Sequence, residues 1–233
     1  MYVCIYVCMY VCMLVYIISN VLDSGNTPTK VITVDSYSIE HKSKFLRKES
    51  VEIKLYYESF CPDCRKFVTG SLVPTVEKLS VYLDIKLYPY GNAQTNETNG
   101  HYTFECQHGP AECYGNMLDA CAIDLLGNIT KTVFFSGCMM RNNQSGRGSD
   151  DTAADSCGKA MDIDSEPIKQ CAKSNKGVQL LKFYGEESKK VGFKYVPYIL
   201  INGAVNDGEN FMRDICAAFN DPPPPCKQYS VSK

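Results

Sequence analysis

Two cysteines with two residues between them, Cys61-Pro62-Asp63-Cys64, are the part of this sequence best suited to chemistry. Such a pair exchanges electrons with other thiols, closes a short structural disulfide, or supplies half of a zinc site. The flanking residues decide among these. Upstream, Val51, Ile53, Leu55 and Tyr57 alternate with Glu52, Lys54, Tyr56 and Glu58, the period of a strand. Downstream, Phe67, Val68, Leu72, Val76 and Leu79 predict a helix over Arg65–Ser80, bent at Pro74. Val81, Leu83, Ile85 and Leu87 then predict a second strand. A dithiol at the strand-to-helix junction of a β-α-β unit reads as redox-active.

Only a thiolate attacks a disulfide, and a cysteine of ordinary pKa is about 0.03% ionised near pH 5. Cys61 falls at the helix N-terminus, where backbone N–H groups and the helix dipole favour an anion. Asp63 opposes that charge, and Arg65 and Lys66 are available to offset it. The expected roles are Cys61 as nucleophile and Cys64, one turn further in, as resolving thiol.

Cysteine usage points to the compartment. There are 13 in 233 residues, a density that reducing cytosol discourages unless the thiols bind metal or do redox work. Setting aside the dithiol and Cys4, Cys8 and Cys12 leaves Cys106, Cys113, Cys121, Cys138, Cys157, Cys171, Cys216 and Cys226. Eight is the number for four disulfides, with about 105 possible connectivities. One bridge is expected to tie the C-terminal segment to the rest through Cys216 or Cys226. Three N-x-S/T sequons, at Asn96, Asn128 and Asn143, agree with passage through an oxidising secretory route. The formal net charge of −2 gives no sign of a nucleic-acid partner. The three histidines, His41, His101 and His108, are scattered, so no metal site and no cofactor are expected.

The N-terminus is unusual. Residues 1–18 are apolar and uncharged, like a signal leader without a basic region and short for stable membrane insertion. Residues 1–12 repeat Met/Ile-Tyr-Val-Cys, which a tandem ATGT repeat would encode, so this leader reads either as a cleaved signal or as a translated microsatellite preceding Met13. Residues 19–50 are polar and read as a linker or pro-segment.

At the far end, residues 177–191 predict an amphipathic helix, and Tyr195 to Gly203 a buried strand ending in a hairpin. A closing helix over 210–219 follows, and Pro222–Pro225 rule out its continuation. This β-α-β … α-β-β-α order is that of a thioredoxin-like domain over 51–226, with 227–233 as a tail. An insertion, about 91–176, carries six of the eight remaining cysteines. It is expected to be mainly helical and disulfide-stapled: a polar loop at 92–102, a helix from Pro110 through Leu125, and an exposed loop over 139–156.

The insertion contains Cys106-Gln107-His108-Gly109-Pro110-Ala111-Glu112-Cys113-Tyr114-Gly115-Asn116-Met117-Leu118-Asp119-Ala120-Cys121. This resembles the signature C-Q-H-G-x2-E-C-x2-N-x4-C of the gamma-interferon-inducible lysosomal thiol reductase family at every fixed position. The resemblance implies a glycoprotein that reduces disulfides of unfolded protein substrates in endosomes and lysosomes, with a small thiol as reductant. It also implies a cis Val196–Pro197 peptide beside the dithiol, with the Val196 backbone free to pair with extended substrate. His108 reads as structural, with proton shuttling as the alternative. Two other functions use the same residues: a secretory-pathway disulfide oxidase or isomerase, and a disulfide-stapled binding module with no turnover.

Overall fold

The computed structural model describes residues 49–142 and 149–229, within the compact unit Lys48–Lys233. The expected leader, the linker up to residue 48, His41 and Asn143 lie outside the described residues.

Strand β1 (Val51–Tyr57) buries Val51, Ile53, Leu55 and Tyr57, as its alternation predicts. Towards its C-terminal end both faces are covered: Tyr56 is also buried, its ring stacked 4.4 Å from that of Tyr88. The next helix starts at Pro62, three residues earlier than apolar periodicity indicates. Cys61 caps it, and proline suits the first helical position because it has no N–H to leave unpaired. Helix α1 (Pro62–Phe67) widens into a π turn over Val68–Leu72 and resumes as α2 (Val73–Leu79). Pro74 sits directly after the wide turn, where the ladder is already rearranged and a missing donor costs little. Val81, expected in a strand, lies instead in a 3-10 turn (Ser80–Tyr82) and is exposed. Strand β2 (Leu83–Pro89) begins two residues later.

The segment expected to be a polar loop at 92–102 forms a hairpin of β3 (Gln94–Thr98) and β4 (His101–Glu105). Its turn is Asn99-Gly100, both with positive φ, the chemistry a two-residue hairpin requires. Four helices follow: α3 (Pro110–Leu126), α4 (Ile129–Arg141), α5 (Asp151–Met161) and α6 (Glu166–Ala172). The exposed loop expected over 139–156 is a correction. Met139 and Met140 are fully buried in α4, and Ala153, Ala154 and Cys157 are buried in α5.

Helix α7 (Asn175–Val191) returns to the sheet, burying Leu181 and Tyr184 against Tyr90 and Ala120. Strands β5 (Tyr198–Ile201) and β6 (Ala204–Asn206) and helix α8 (Phe211–Ala217) complete the domain. The sheet order is β2-β1-β5-β6, with β1 parallel to β2 and antiparallel to β5. One core joins this sheet to α1, α2 and α8, through Ile53, Leu55, Phe67, Val76, Ile199 and Phe211. A second core belongs to the insertion and includes Leu118, Phe135, Met139, Ala154 and Ile168.

The eight remaining cysteines form four bridges: Cys106–Cys113, Cys121–Cys171, Cys138–Cys157 and Cys216–Cys226. Three lie inside the insertion. Cys216 and Cys226 bond each other across 10 residues, so neither ties the C-terminal segment to a distant element. That tether is supplied by Glu49, whose carboxylate accepts from the backbone N–H groups of Asn220 and Asp221.

Candidate active site

Register places the dithiol. Tyr56 near the end of β1 pairs with Tyr198 at the start of β5, so the chain leaving β1 towards Cys61 runs beside the chain entering β5 from Val196–Pro197. The Val196–Pro197 peptide is cis, and the Val196 carbonyl lies 3.9 Å from Cys61 Sγ.

Both thiols are free and buried, but unequally: Cys61 retains 7% exposure and Cys64 none. Cys61 Sγ accepts from the Cys64 backbone N–H at 3.3 Å. The Cys64 thiol and the backbone N–H groups of Cys64 and Asp63 bring Cys61 down to about 6, against burial and the Asp63 charge. The largest contribution is the Cys64 thiol itself. Arg65 Nε donates to the Met140 carbonyl at 3.2 Å, and Arg65 is not among the main groups that set the Cys61 thiol. Cys64 moves the other way, pushed far up by burial and then by the hydrogen bond and charge of Cys61. One thiol therefore begins to ionise in mild acid while the other is held protonated.

The residues just before the dithiol are gripped by the insertion. The Ser59 backbone N–H donates to Asn116 Oδ1 at 2.9 Å, and Ser59 Oγ donates to the Glu112 carbonyl at 3.3 Å. Gly115 leaves room for this contact, because a Cβ there would sit 2.5 Å from Ser59 Oγ. Glu58 is 1% exposed. Its Oε1 accepts from Asn92 N–H at 2.7 Å, while Oε2 makes no hydrogen bond and lies 3.5 Å from His108 Nδ1. His108 is fixed by Glu112, whose carboxylate accepts from the His108 backbone N–H at 3.0 Å and pairs with Nδ1 at 2.6 Å. Burial pushes Glu58 up to about 7; Asn92 N–H opposes this, the charges of Glu112 and Cys61 add to it, and His108 lowers it.

Sequence reading identified the dithiol but missed Glu58, Ser59, Glu112 and Asn116. Glu58 looked like one more polar position in the alternation of β1. The available signal was that Glu112 and Asn116 are fixed polar positions in a helix otherwise expected to be core; both are fully buried. The donor atoms of Glu58, His108 and Glu112 lie within 4.8 Å of one another, so these are described side chains that could hold a cation. Of the three, only His108 and Glu112 are hydrogen-bonded to each other, while Glu58 accepts from Asn92 N–H. His101 is exposed at the start of β4. Asn96 and Asn128 are exposed, and Asn128 Oδ1 caps α4 by accepting from Lys131 N–H.

A second buried acid lies one turn beyond the clamp. Asp119 faces Tyr57 and Ser136 with neither carboxylate oxygen in a hydrogen bond of full geometry, and burial pushes it up to about 7.

Known proteins fit this arrangement. The domain is similar in fold to oxidised BdbD from Bacillus subtilis, with a TM-score of 0.54 at 12% identity, covering 72% of this chain and 86% of that one. It is also similar to MdbA, a thiol-disulfide oxidoreductase from Corynebacterium diphtheriae, with a TM-score of 0.50 at 16% identity, covering 74% and 85%. The fold is thioredoxin-like with a helical insertion. In sequence, a gamma-interferon-inducible lysosomal thiol reductase from Carassius auratus is 39% identical over 160 residues, 67% of this chain and 61% of that protein. GILT-like protein 1 of Drosophila melanogaster is 33% identical over 202 residues, covering 77% of this chain and 80% of that protein. The family model for gamma interferon inducible lysosomal thiol reductase (GILT) matches residues 52–161, which include the dithiol and the clamp. The chain belongs to that family.

Proposed function

We propose that the protein is a thiol–disulfide reductase acting on disulfide-containing polypeptides in acidic endosomes and lysosomes. The observation that carries this reading is the asymmetry of the dithiol. With Cys61 near 6, about a tenth of it is thiolate at pH 5, several hundredfold more than an ordinary cysteine. The Cys61 thiolate attacks one sulfur of the substrate disulfide and forms a mixed disulfide, and the departing substrate thiolate takes up a proton. Cys64 then loses its proton and attacks Cys61 Sγ, closing the Cys61–Cys64 bond and releasing the second substrate thiol. A small thiol returns the enzyme to its dithiol form. Val196, with its carbonyl beside Cys61 Sγ, is the backbone group assigned to pair with extended substrate, and Pro197 directs it there. Among the described residues no helix is long and apolar enough to cross a membrane.

Insulin reduction by the purified protein across pH 4.5–7.5 tests this reading. Turnover retained at pH 5 supports it. Absence of turnover at every pH would favour a non-enzymatic module, and a strongly oxidising potential against glutathione would favour an oxidase.

A further inference from the structure

Folding brings together three side chains that lie far apart in the sequence. Glu58 directly after β1, His108 in the approach to α3 and Glu112 in its first turn each place one donor atom within 4.8 Å of the other two. The two glutamates are buried, with side-chain exposures of 1% and 0%. Among the described residues, His108 is the only basic side chain paired with either of them. Two buried carboxylates against one imidazole leave an excess of negative charge. Such groups take up protons, pair with cations or coordinate a metal.

The way the carboxylates are held favours a metal. Each fixes one oxygen on a backbone N–H: Glu58 Oε1 accepts from Asn92 at 2.7 Å, and Glu112 Oε1 accepts from His108 at 3.0 Å. Each turns its other oxygen to the same atom, His108 Nδ1, with Glu112 Oε2 at 2.6 Å and Glu58 Oε2 at 3.5 Å. Glu58 Oε2 is buried and makes no hydrogen bond. Gly91, at φ +62, closes the loop after β2 onto Glu58, where a Cβ would lie 2.1 Å from Glu58 Cγ. Donors that hold one oxygen of a carboxylate and leave the other free are the means by which proteins orient metal ligands. The His108 side chain is 33% exposed, which gives an ion a way in and leaves room for water on it.

We infer that Glu58 Oε2, His108 Nδ1 and Glu112 Oε2 bind one divalent transition-metal ion, with Zn²⁺ the best match. Zn²⁺ takes imidazole nitrogen and carboxylate oxygen at about 2.0–2.2 Å, so its tetrahedral ligands stand about 3.3 Å apart. The separation of Glu58 and His108 is close to that spacing. The hydrogen bond between His108 and Glu112 must open by about 0.7 Å, which a partly exposed ring permits. The ring then carries its proton on Nε2 and offers the Nδ1 lone pair to the ion, while water fills the fourth position. An imidazole in the set disfavours Ca²⁺ and Mg²⁺, which take oxygen ligands. The ion joins the end of β1, the loop after β2 and the start of α3 at one point. Cys61 and Cys64 are no part of the ligand set, and the site does not rest on the reductase reading.

The test uses oxidised, untagged full-length protein with its remaining thiols alkylated, so that no cysteine is left to bind metal. Calorimetric titration near neutral pH should show one Zn²⁺ per chain with a dissociation constant below about 0.1 mM, and no binding of Ca²⁺ in that range. Zn²⁺ should also raise the thermal midpoint. Co²⁺ in its place should give the visible bands of a nitrogen- and oxygen-bound ion. His108→Gln, at a partly exposed position, should weaken Zn²⁺ binding at least tenfold and remove the rise in midpoint. Glu58→Gln and Glu112→Gln should do the same, and if neither folds, His108→Gln decides the matter alone. His101→Gln, on β4, should bind as wild type does. Absence of Zn²⁺ binding by wild type would overturn the site and leave the three side chains as a proton-neutralised group. Binding that survives His108→Gln, or that is lost in His101→Gln, would place the ion elsewhere and overturn it equally.

Discussion

The backbone N–H of Ser59 donates to the side-chain oxygen of Asn116 at 2.9 Å, tying the approach to the dithiol to the middle of helix α3. The two residues are 57 apart in sequence and both buried, so this bond joins the sheet domain to its insertion at the point where chemistry occurs. Replacing Asn116 by Leu keeps the volume but leaves the Ser59 donor unpaired, at a cost of about 1–3 kcal/mol. The expected result is a lower thermal midpoint together with slower turnover. A variant as stable and as active as wild type would mean that the clamp does not position the dithiol.

The two cysteines should fail differently when replaced. Cys61→Ser removes the nucleophile, so both turnover and covalent capture of substrate should vanish. Cys64→Ser keeps the nucleophile and removes the resolver, so mixed disulfides should accumulate as reducible bands on a gel. Because the Cys64 thiol donor is the main group lowering Cys61, Cys64→Ala, which removes the donor, should capture substrate more weakly at pH 5 than Cys64→Ser, which keeps a hydroxyl donor there. Trapping by Cys61→Ser instead would reverse the assigned roles.

Acid should stabilise the fold. Glu58 and Asp119 are both raised to about 7 in the native state, so between about pH 4 and 7 the folded chain binds more protons than the unfolded one. Stability contributed by these groups is therefore greatest below that window and falls as pH rises through it. For the fully buried Asp119 a shift of this size corresponds to about 4 kcal/mol. Cys61, being lowered, has the opposite slope between about 6 and its ordinary value, so the oxidised protein gives the cleaner reading. Thermal midpoints of oxidised protein should fall from pH 5 to 7.5, and Asp119→Asn should flatten the curve. A midpoint that rises over this range would contradict the burial of both acids in their neutral forms.

The bridges should differ in value with the loops they close. Cys121–Cys171 spans 50 residues and ties α3 to α6, whereas Cys216–Cys226 spans 10. Chain entropy assigns about 4 kcal/mol to the first and about 3 to the second. Paired Cys→Ala variants compared by urea unfolding should rank in that order, with the Cys121/Cys171 variant the less stable.

The sheet and the dithiol were legible because β1, β5 and the junction at Cys61 depend on local alternation and capping. The insertion was less so. Its hairpin was hidden by polar composition, although Asn99-Gly100 carries the turn signal. The ends of α4 and α5 were mistaken for loop because the Asn, Ser and Gly between them dominate the window, while Met139, Met140, Ala153 and Ala154 are core. Glu58 was illegible for a different reason. By phase it is one more polar residue after the strand, and only the loop after β2, through Asn92, and the approach to α3, through His108, convert that position into a buried one. The pairing of Cys216 with Cys226 likewise depends on how the chain turns after α8.

The central claim is that Cys61 is poised as a thiolate in acid while Cys64 is not. The direct test is the rate of iodoacetamide alkylation of the reduced wild-type protein as a function of pH, with the adduct located by mass spectrometry. The account predicts modification at Cys61 with a midpoint near 6 and no competing reaction at Cys64 below pH 8. A midpoint near the ordinary cysteine value of about 8.5, or a first adduct on Cys64, would contradict it.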